Sequence, residues 1–338
     1  MAPARRGGTL AGNHAGRRTG VPGRAAASRR SPPAGRAVRL PSTAVTILAT
    51  RRLPGDAWSE LGDVEVGPAD TPREDVEVLV VANEAVDLEL FPSLRLVANY
   101  GVGYDRVDVA ACAARGIAVT NTPGVLDAAT ADLTFALILA VRRRVVEGDR
   151  LVRGGVWSTS WSDGPFLGRE VTGATLGIVG FGRIGSAVAR RARGFEMRVL
   201  FHARSRTDDP DWRALDDLLR ESDVVSLHTP LTTETTGLLS RERLALLRDG
   251  ATLVNTARGA IVDEQALVDE LVSGRIGAGL DVFAHEPHVP EPLLTLPNVV
   301  LNPHVASATV ETRAAMTRVV VDNVLAYLRG EPLLTPVR

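Results

Sequence analysis

A chain of 338 residues exceeds one ordinary domain, and an apolar fraction of 45% with 23% charged residues is that of a globular protein able to bury two cores. A net charge of −1 gives no hint of nucleic acid, and no run approaches the roughly 20 consecutive apolar residues of a membrane helix, so a soluble, cytoplasmic protein is expected. The single cysteine, Cys112, excludes an internal disulfide framework and a cysteine zinc site and fits a reducing compartment; no metal is expected.

From the amino end, residues 1–40 hold nine arginines and no acidic residue, which leaves the rest of the chain clearly acidic. The stretch is rich in Gly, Pro, Ala and Ser and lacks apolar periodicity. It buries too little surface to offset its ordering entropy, which predicts a disordered basic tail over 1–41. An Arg-rich, acid-free start resembles an organelle transit peptide. All 39 basic residues of the chain are Arg, however, a bias typical of a GC-rich bacterial genome that favours a misassigned start or an inert extension.

Short apolar runs at 44–49, 76–82, 94–100 and 117–120, with about ten to twenty polar or helical residues between them, predict a parallel α/β layer. From Asp127 to about 152 an apolar stripe at helical spacing predicts one long helix bridging two domains, with Asp127 as its cap after Pro123-Gly124. A second series follows at 175–182, 197–203, 224–229, 251–257, 277–283 and 299–304. Six such runs with helical segments between them match a doubly wound sheet, whose ligands sit beyond the carboxyl ends of the strands. A last helical segment at 307–329 returns the chain to the first domain, and no repeat of solenoid or propeller period is present.

Gly180-Phe181-Gly182-Arg183-Ile184-Gly185 lies between the apolar run LGIV and the helical SAVARRARG. A lone G-x-G-x-x-G is weak, but in strand-turn-helix context it predicts a dinucleotide site. Gly180 makes the turn, Gly182 lets the backbone approach a pyrophosphate, and Gly185 allows close helix packing. Where an NAD enzyme places an acid at the end of the next strand, this chain reads His202-Ala203-Arg204-Ser205-Arg206. Two guanidiniums and a hydroxyl without an acid suit a 2′-phosphate, so NADP(H) is the expected cofactor, with NAD(H) as the second choice.

Of six histidines, His304 stands out because it ends the last apolar run, after Asn302-Pro303, where it faces an interdomain cleft. Reduction of a keto group needs a proton donor for the forming alkoxide, and an imidazole is suited to that. Glu286, bonded to the imidazole, would orient it and favour its protonated form. Arg258, after the run ATLVNTA, supplies a bidentate fork for a substrate carboxylate and polarises the neighbouring carbonyl.

These features together resemble the D-isomer-specific 2-hydroxyacid dehydrogenase family from about residue 42 to 338. The matching blocks are ANYGVGYDRVD at 98–108, TPGVLDAATADLTFALIL at 122–139, LGIVGFGRIG at 176–185, LVNTARGAIVDEQAL at 253–267, GLDVFAHEP at 279–287 and LNPHVASAT at 301–309. The resemblance implies that Arg258, Glu286 and His304 are catalytic and that Val102 and Gly103 lie in the loop whose amides bind the substrate carboxylate. It places Thr130, Arg183, Ile184, Thr229, Pro230, Thr256, Ala257, Asp281, His304 and Ser307 along the cofactor. It further implies a central Rossmann domain over 138–307 and a flavodoxin-like substrate domain built from both chain ends, 42–137 completed by 308–338, in a homodimer.

Ala203-Arg204-Ser205 and the segment WSTSWSDGPFLG at 157–168 are similar to the NADP-using glyoxylate and hydroxypyruvate reductases, and by that likeness Trp161 reaches a neighbouring subunit's site. Trp157 and Trp161, in a loop rich in Ser and Gly, also predict cover by a partner subunit. Asp127, where Thr is frequent, and Asn83, in a loop expected to face the substrate, depart from the family pattern and leave the keto acid open. Two alternatives stand beside this reading. An NAD-linked 3-phosphoglycerate dehydrogenase is disfavoured by the missing acid and by a cleft loop without extra basic residues. A dinucleotide-sensing corepressor is disfavoured by the complete Arg, Glu and His set.

Overall fold

Valine, isoleucine and leucine dominate the strands of two all-parallel sheets, as expected when both faces of a sheet are covered. The computed structural model describes residues 45–155, 157 and 166–337. The basic tail and Trp161 lie outside them.

The first sheet contains β1 (Thr46–Ala49), β2 (Glu65–Val66), β3 (Val76–Val81), β4 (Leu96–Asn99) and β5 (Ala118–Thr120), in the order β2-β1-β3-β4-β5. The second contains β6 (Thr175–Val179), β7 (Arg198–His202), β8 (Val224–Leu227), β9 (Thr252–Asn255), β10 (Gly277–Leu280) and β11 (Val299–Leu301), in the order β11-β10-β9-β8-β6-β7. Each order reverses once, between β1 and β3 and between β6 and β8. At these points the loops leaving adjacent strands diverge to opposite faces and open a crevice beyond the strand ends.

The helices are α1 (Val109–Ala114), α2 (Asp127–Arg142), α3 (Val145–Arg153), α4 (Arg183–Arg193), α5 (Leu215–Glu221), α6 (Arg241–Leu244), α7 (Glu264–Val272) and α8 (Val310–Leu328). The single helix expected from Asp127 to about 152 is two. Arg142 is buried, with its guanidinium bonded to the carbonyls of Glu170 and Asp223, and its own carbonyl accepts from the Arg169 amide. That outside donor ends α2, and Arg144 turns the chain at φ 53° into α3. Asp127 is also not the cap: Leu126 holds that place without a side-chain bond, and Asp127 is the first helical residue.

Residues Ala131, Phe135, Leu137 and Ile138 of α2 belong to the core of the second sheet, and the helix packs against β9, β10, β11 and α4. Leu126, just before it, packs in the core of the first sheet. The packing changes partner between Leu126 and Ala131, ahead of the boundary at 137 expected from the sequence. Met316, Val320, Val321 and Val324 of α8 join the first core, so the carboxyl-terminal helix closes the sheet that the amino-terminal strands began. No helix among the described residues is long and apolar enough to cross a membrane.

Candidate active site

At the reversal in the second sheet, Gly180 adopts φ 94°, and a Cβ there would stand 2.7 Å from the carbonyl carbon of His228 and 2.8 Å from the Thr229 nitrogen. Only glycine lets the β6 turn approach the loop after β8 so closely. A Cβ on Gly185 would meet the Gly180 carbonyl at 2.2 Å, so α4 can lie directly on the turn. At Gly182, the residue capping α4, a Cβ would meet nothing within 4 Å and no side chain bonds the first-turn amides. Open space above unsatisfied helix amides fits a pyrophosphate. The adjoining cavity of about 380 Å³ is lined by Gly182, Arg183, Ile184, Thr229, Pro230, Thr256 and Ala257.

Beyond β7, Ala203 is half-buried and Arg204, Ser205 and Arg206 are exposed. None of these four lines that cavity. The Arg206 guanidinium lies 5.6 Å from the Trp212 ring centre, while Arg204 forms no ion pair among the described residues. The Thr232 hydroxyl, its own backbone amide and the charge of Arg204 hold the Glu234 carboxyl below the usual range.

A second cavity of about 290 Å³ shares Val102, Gly103, Ile184, Thr256 and Arg258 with the first and adds Asn83, Thr130, His304 and Ser307. Buried Asn99 holds one wall in place. Its amide donates to the carbonyls of Gly101 and Gly103, at 3.1 and 2.7 Å, and its oxygen accepts from the Asn83 amide at 2.8 Å. Asn121 donates to the Val102 carbonyl at 2.9 Å. With those carbonyls occupied, the backbone amides of Val102 and Gly103 have no acceptor among the described residues. Asn83 borders the cavity at φ 55°, but its side chain is engaged with Asp105 and the Arg106 amide, so it also braces the loop.

Arg258 follows β9, where the buried Asn255 side chain accepts from the Ala257 amide and donates to the Arg258 carbonyl, fixing the turn. The arginine donates from Nη1 to the Ala257 carbonyl at 2.7 Å and from Nε to Asp105 at 2.9 Å. A Cβ on Gly103 would fall 1.7 Å from its Nη2, so the guanidinium packs directly against the Gly103 backbone, where only glycine leaves it room.

His304 stands three residues past β11 at φ 55°. Its loop hangs on Asp281, whose carboxylate is fully buried and accepts from the Val305 and Ala306 amides at 2.8 and 2.9 Å. Burial raises the Asp281 pKa, and those two amides partly oppose the rise. With both oxygens so engaged, Asp281 lines neither cavity; its visible work is to anchor the His304 loop.

His304 Nδ1 lies 2.8 Å from Glu286 Oε2, and Glu286 Oε1 accepts from the Phe283 amide at 3.1 Å. Burial pushes the Glu286 pKa up, but the hydrogen bond and charge of His304, the Phe283 amide and Arg258 outweigh it and hold the carboxyl below its usual range. His228, which borders the larger cavity, is pushed down to about 3 by burial and remains neutral. Sequence reasoning singled out neither the bracing Asn99 nor the Asp105 partner of Arg258. It also passed over Arg51 and Arg313, which both border the smaller cavity.

Two facing parallel sheets, a glycine turn beneath an open helix end, and a histidine-carboxylate pair beside an arginine define a nicotinamide-dinucleotide dehydrogenase. Residues 135–306 match the family profile described as D-isomer specific 2-hydroxyacid dehydrogenase, NAD binding domain. The chain is 49% identical over 290 residues to a glyoxylate reductase of Pyrococcus furiosus, covering 82% of this chain and 86% of that protein. A solved protein of Thermus thermophilus is similar with TM-score 0.81 and 48% identity over 87% of this chain and 100% of the other. An NADPH-dependent glyoxylate/hydroxypyruvate reductase of Sinorhizobium meliloti, in complex with NADP and malonate, gives TM-score 0.78 and 38% identity over 87% of this chain and 96% of that one. The chain belongs to the D-isomer-specific 2-hydroxyacid dehydrogenases. It is an NAD(P)-dependent oxidoreductase that reduces a 2-keto acid to a 2-hydroxy acid.

Proposed function

We propose that this enzyme is an NADPH-preferring reductase of a small 2-keto acid of the glyoxylate or hydroxypyruvate kind, with Arg258, Glu286 and His304 as its catalytic set. The observation that carries the reading is the 2.8 Å bond between His304 and Glu286 beside a cavity that Arg258 also enters. A nicotinamide dinucleotide held here would supply the hydride for the keto carbon. His304 donates a proton to the keto oxygen from Nε2, the nitrogen not engaged by Glu286, and Glu286 favours the charged imidazole. Arg258 and the free amides of Val102 and Gly103 receive the carboxylate. Gly182 and Arg183 take the pyrophosphate; Thr130, Ile184, Thr229, Pro230, Thr256, Ala257 and Ser307 line the remainder.

The NADPH preference is supported by exposed Arg204 with Ser205 and Arg206 and no acid among them, and by a 38%-identical neighbour that is NADPH-dependent. Association as a homodimer is supported by Val145, Val152, Trp157, Phe166 and Leu167, apolar residues near α3 that are exposed in the single chain. The two sheets act as a substrate domain and a Rossmann domain that close on each other.

The test is a spectrophotometric screen of NADPH and NADH oxidation against glyoxylate, hydroxypyruvate, pyruvate, 2-ketogluconate and phenylpyruvate. Turnover of glyoxylate and hydroxypyruvate with NADPH is expected. Oxidation of neither nucleotide with any acid would defeat the reading.

A further inference from the structure

Three guanidiniums and an imidazole border the smaller cavity: those of Arg51, Arg258, Arg313 and His304. Three of the four already have a carboxylate. Arg51 pairs with Glu84 at 2.5 Å, Arg258 with Asp105 at 2.9 Å, and His304 with Glu286 at 2.8 Å. Arg313 has none among the described residues. It is half-buried in the first turn of α8, with its guanidinium 5.6 Å from the ring centre of buried Tyr100. The Tyr100 hydroxyl donates to the Arg313 carbonyl at 3.1 Å. The same aromatic residue thus pins the helical turn and braces the side chain, which limits the entropy lost when a ligand arrives.

A half-buried guanidinium without a counter-group is costly, and one placed beside the reaction residues is ready for an acceptor that arrives with the substrate. On the reading proposed above, on which this inference rests, the substrate carboxylate goes to Arg258 and the Val102 and Gly103 amides, and the keto oxygen goes to His304. What remains is the part of the molecule beyond the keto carbon. Arg258 borders both cavities, whereas Arg313, like His304, borders only the smaller one, so a substrate held by Arg258 and His304 lies in the cavity that Arg313 also lines.

We infer that Arg313 reads the third carbon of the substrate and selects 2-keto acids that carry an acceptor oxygen there, as a hydroxyl or a carboxylate. Glyoxylate has no third carbon to offer, and pyruvate offers only a methyl group. Hydroxypyruvate and oxaloacetate each offer the oxygen.

The test is kcat/KM for these four acids with the wild-type enzyme, Arg313→Met and Arg313→Lys, with melting temperature recorded for each. Wild type is expected to favour hydroxypyruvate over pyruvate. Arg313→Met should lower the hydroxypyruvate-to-pyruvate ratio about tenfold or more, mainly through KM, because a charge-assisted bond is lost for one acid and nothing for the other. Arg313→Lys should recover part of it. The oxaloacetate arm shows whether a carboxylate or a hydroxyl is the better match. Equal losses with hydroxypyruvate and pyruvate, or a wild-type ratio at or below one, would overturn the inference. Those outcomes are distinct from a wild type that reduces no 2-keto acid, which would defeat the proposed function itself.

Discussion

Arg258 and Asp105 stand 153 residues apart in sequence, yet the arginine Nε donates to the carboxylate at 2.9 Å, joining the loop after β9 to the loop after β4 and so one sheet to the other. Both side chains are largely shielded from water, with 21% and 14% of their surface exposed, so the bond is screened less than an ordinary surface pair. It leaves Nη2 of the fork against Gly103.

Asp105→Asn should therefore loosen the arginine without removing it. We expect kcat/KM for the keto acid to fall about tenfold, chiefly through a higher KM, since a hydrogen bond to a charged group contributes roughly 1.5–3 kcal/mol. Steady-state kinetics check this, and an unaltered KM would show that the pair does not position Arg258.

His304→Ala should lower kcat by orders of magnitude while leaving the dissociation constant for NADPH nearly intact, because proton donation belongs to the chemical step. Turnover and dinucleotide fluorescence titration separate the two effects. Unchanged turnover would remove His304 from the mechanism.

For Glu286→Gln the sign follows from the carboxylate's charge. On the proton-donor role proposed for His304, the substitution takes away the negative charge beside the imidazole, and the alkaline limit of the reduction rate is expected to move to lower pH. Because Glu286 is held below its ordinary range, its contribution to stability is in place above the ordinary carboxylate value. That contribution is lost as pH falls through the lower folded value. A pH-rate profile that does not move on substitution would dissolve the dyad.

Asp281→Ala would strip two amides of their acceptor in a place closed to water. Each orphaned donor costs about 1–3 kcal/mol, and the loop carrying His304 at φ 55° would lose its anchor. Chemical denaturation should show a loss of that size together with a fall in kcat. Full stability in the variant would refute the anchoring role.

Cofactor choice should turn on Arg204. Ala203 neither accepts from ribose hydroxyls nor repels a phosphate, so the preference must come from attraction. Arg204→Ala is expected to remove most of a roughly tenfold to hundredfold preference for NADPH. Ala203→Asp with Arg204→Ala should invert it. The ratio of kcat/KM with NADPH to that with NADH, supported by the two dissociation constants, decides; a wild-type ratio at or below one would return the chain to the NAD-linked branch.

The amino-acid sequence by itself determined the two parallel layers, because apolar runs such as LGIV and LVN need only their own composition and spacing to become buried strands. The dinucleotide turn was equally legible, since Gly180, Gly182 and Gly185 act within six residues of one another. So were the positions of Arg258, Glu286 and His304 after strands of one sheet, where a doubly wound topology gathers polar residues. Tertiary structure alone decided the rest. Arg142 ends α2 because its carbonyl meets the amide of Arg169, and Asp127 is not the cap because it is already the first helical residue. The Asp105 partner of Arg258, the amides held by Asp281 and the brace of Tyr100 on Arg313 each join segments 24 or more residues apart. No local pattern records such a meeting, because a side chain's partner across a cleft is chosen by how two sheets pack and not by its neighbours in the chain.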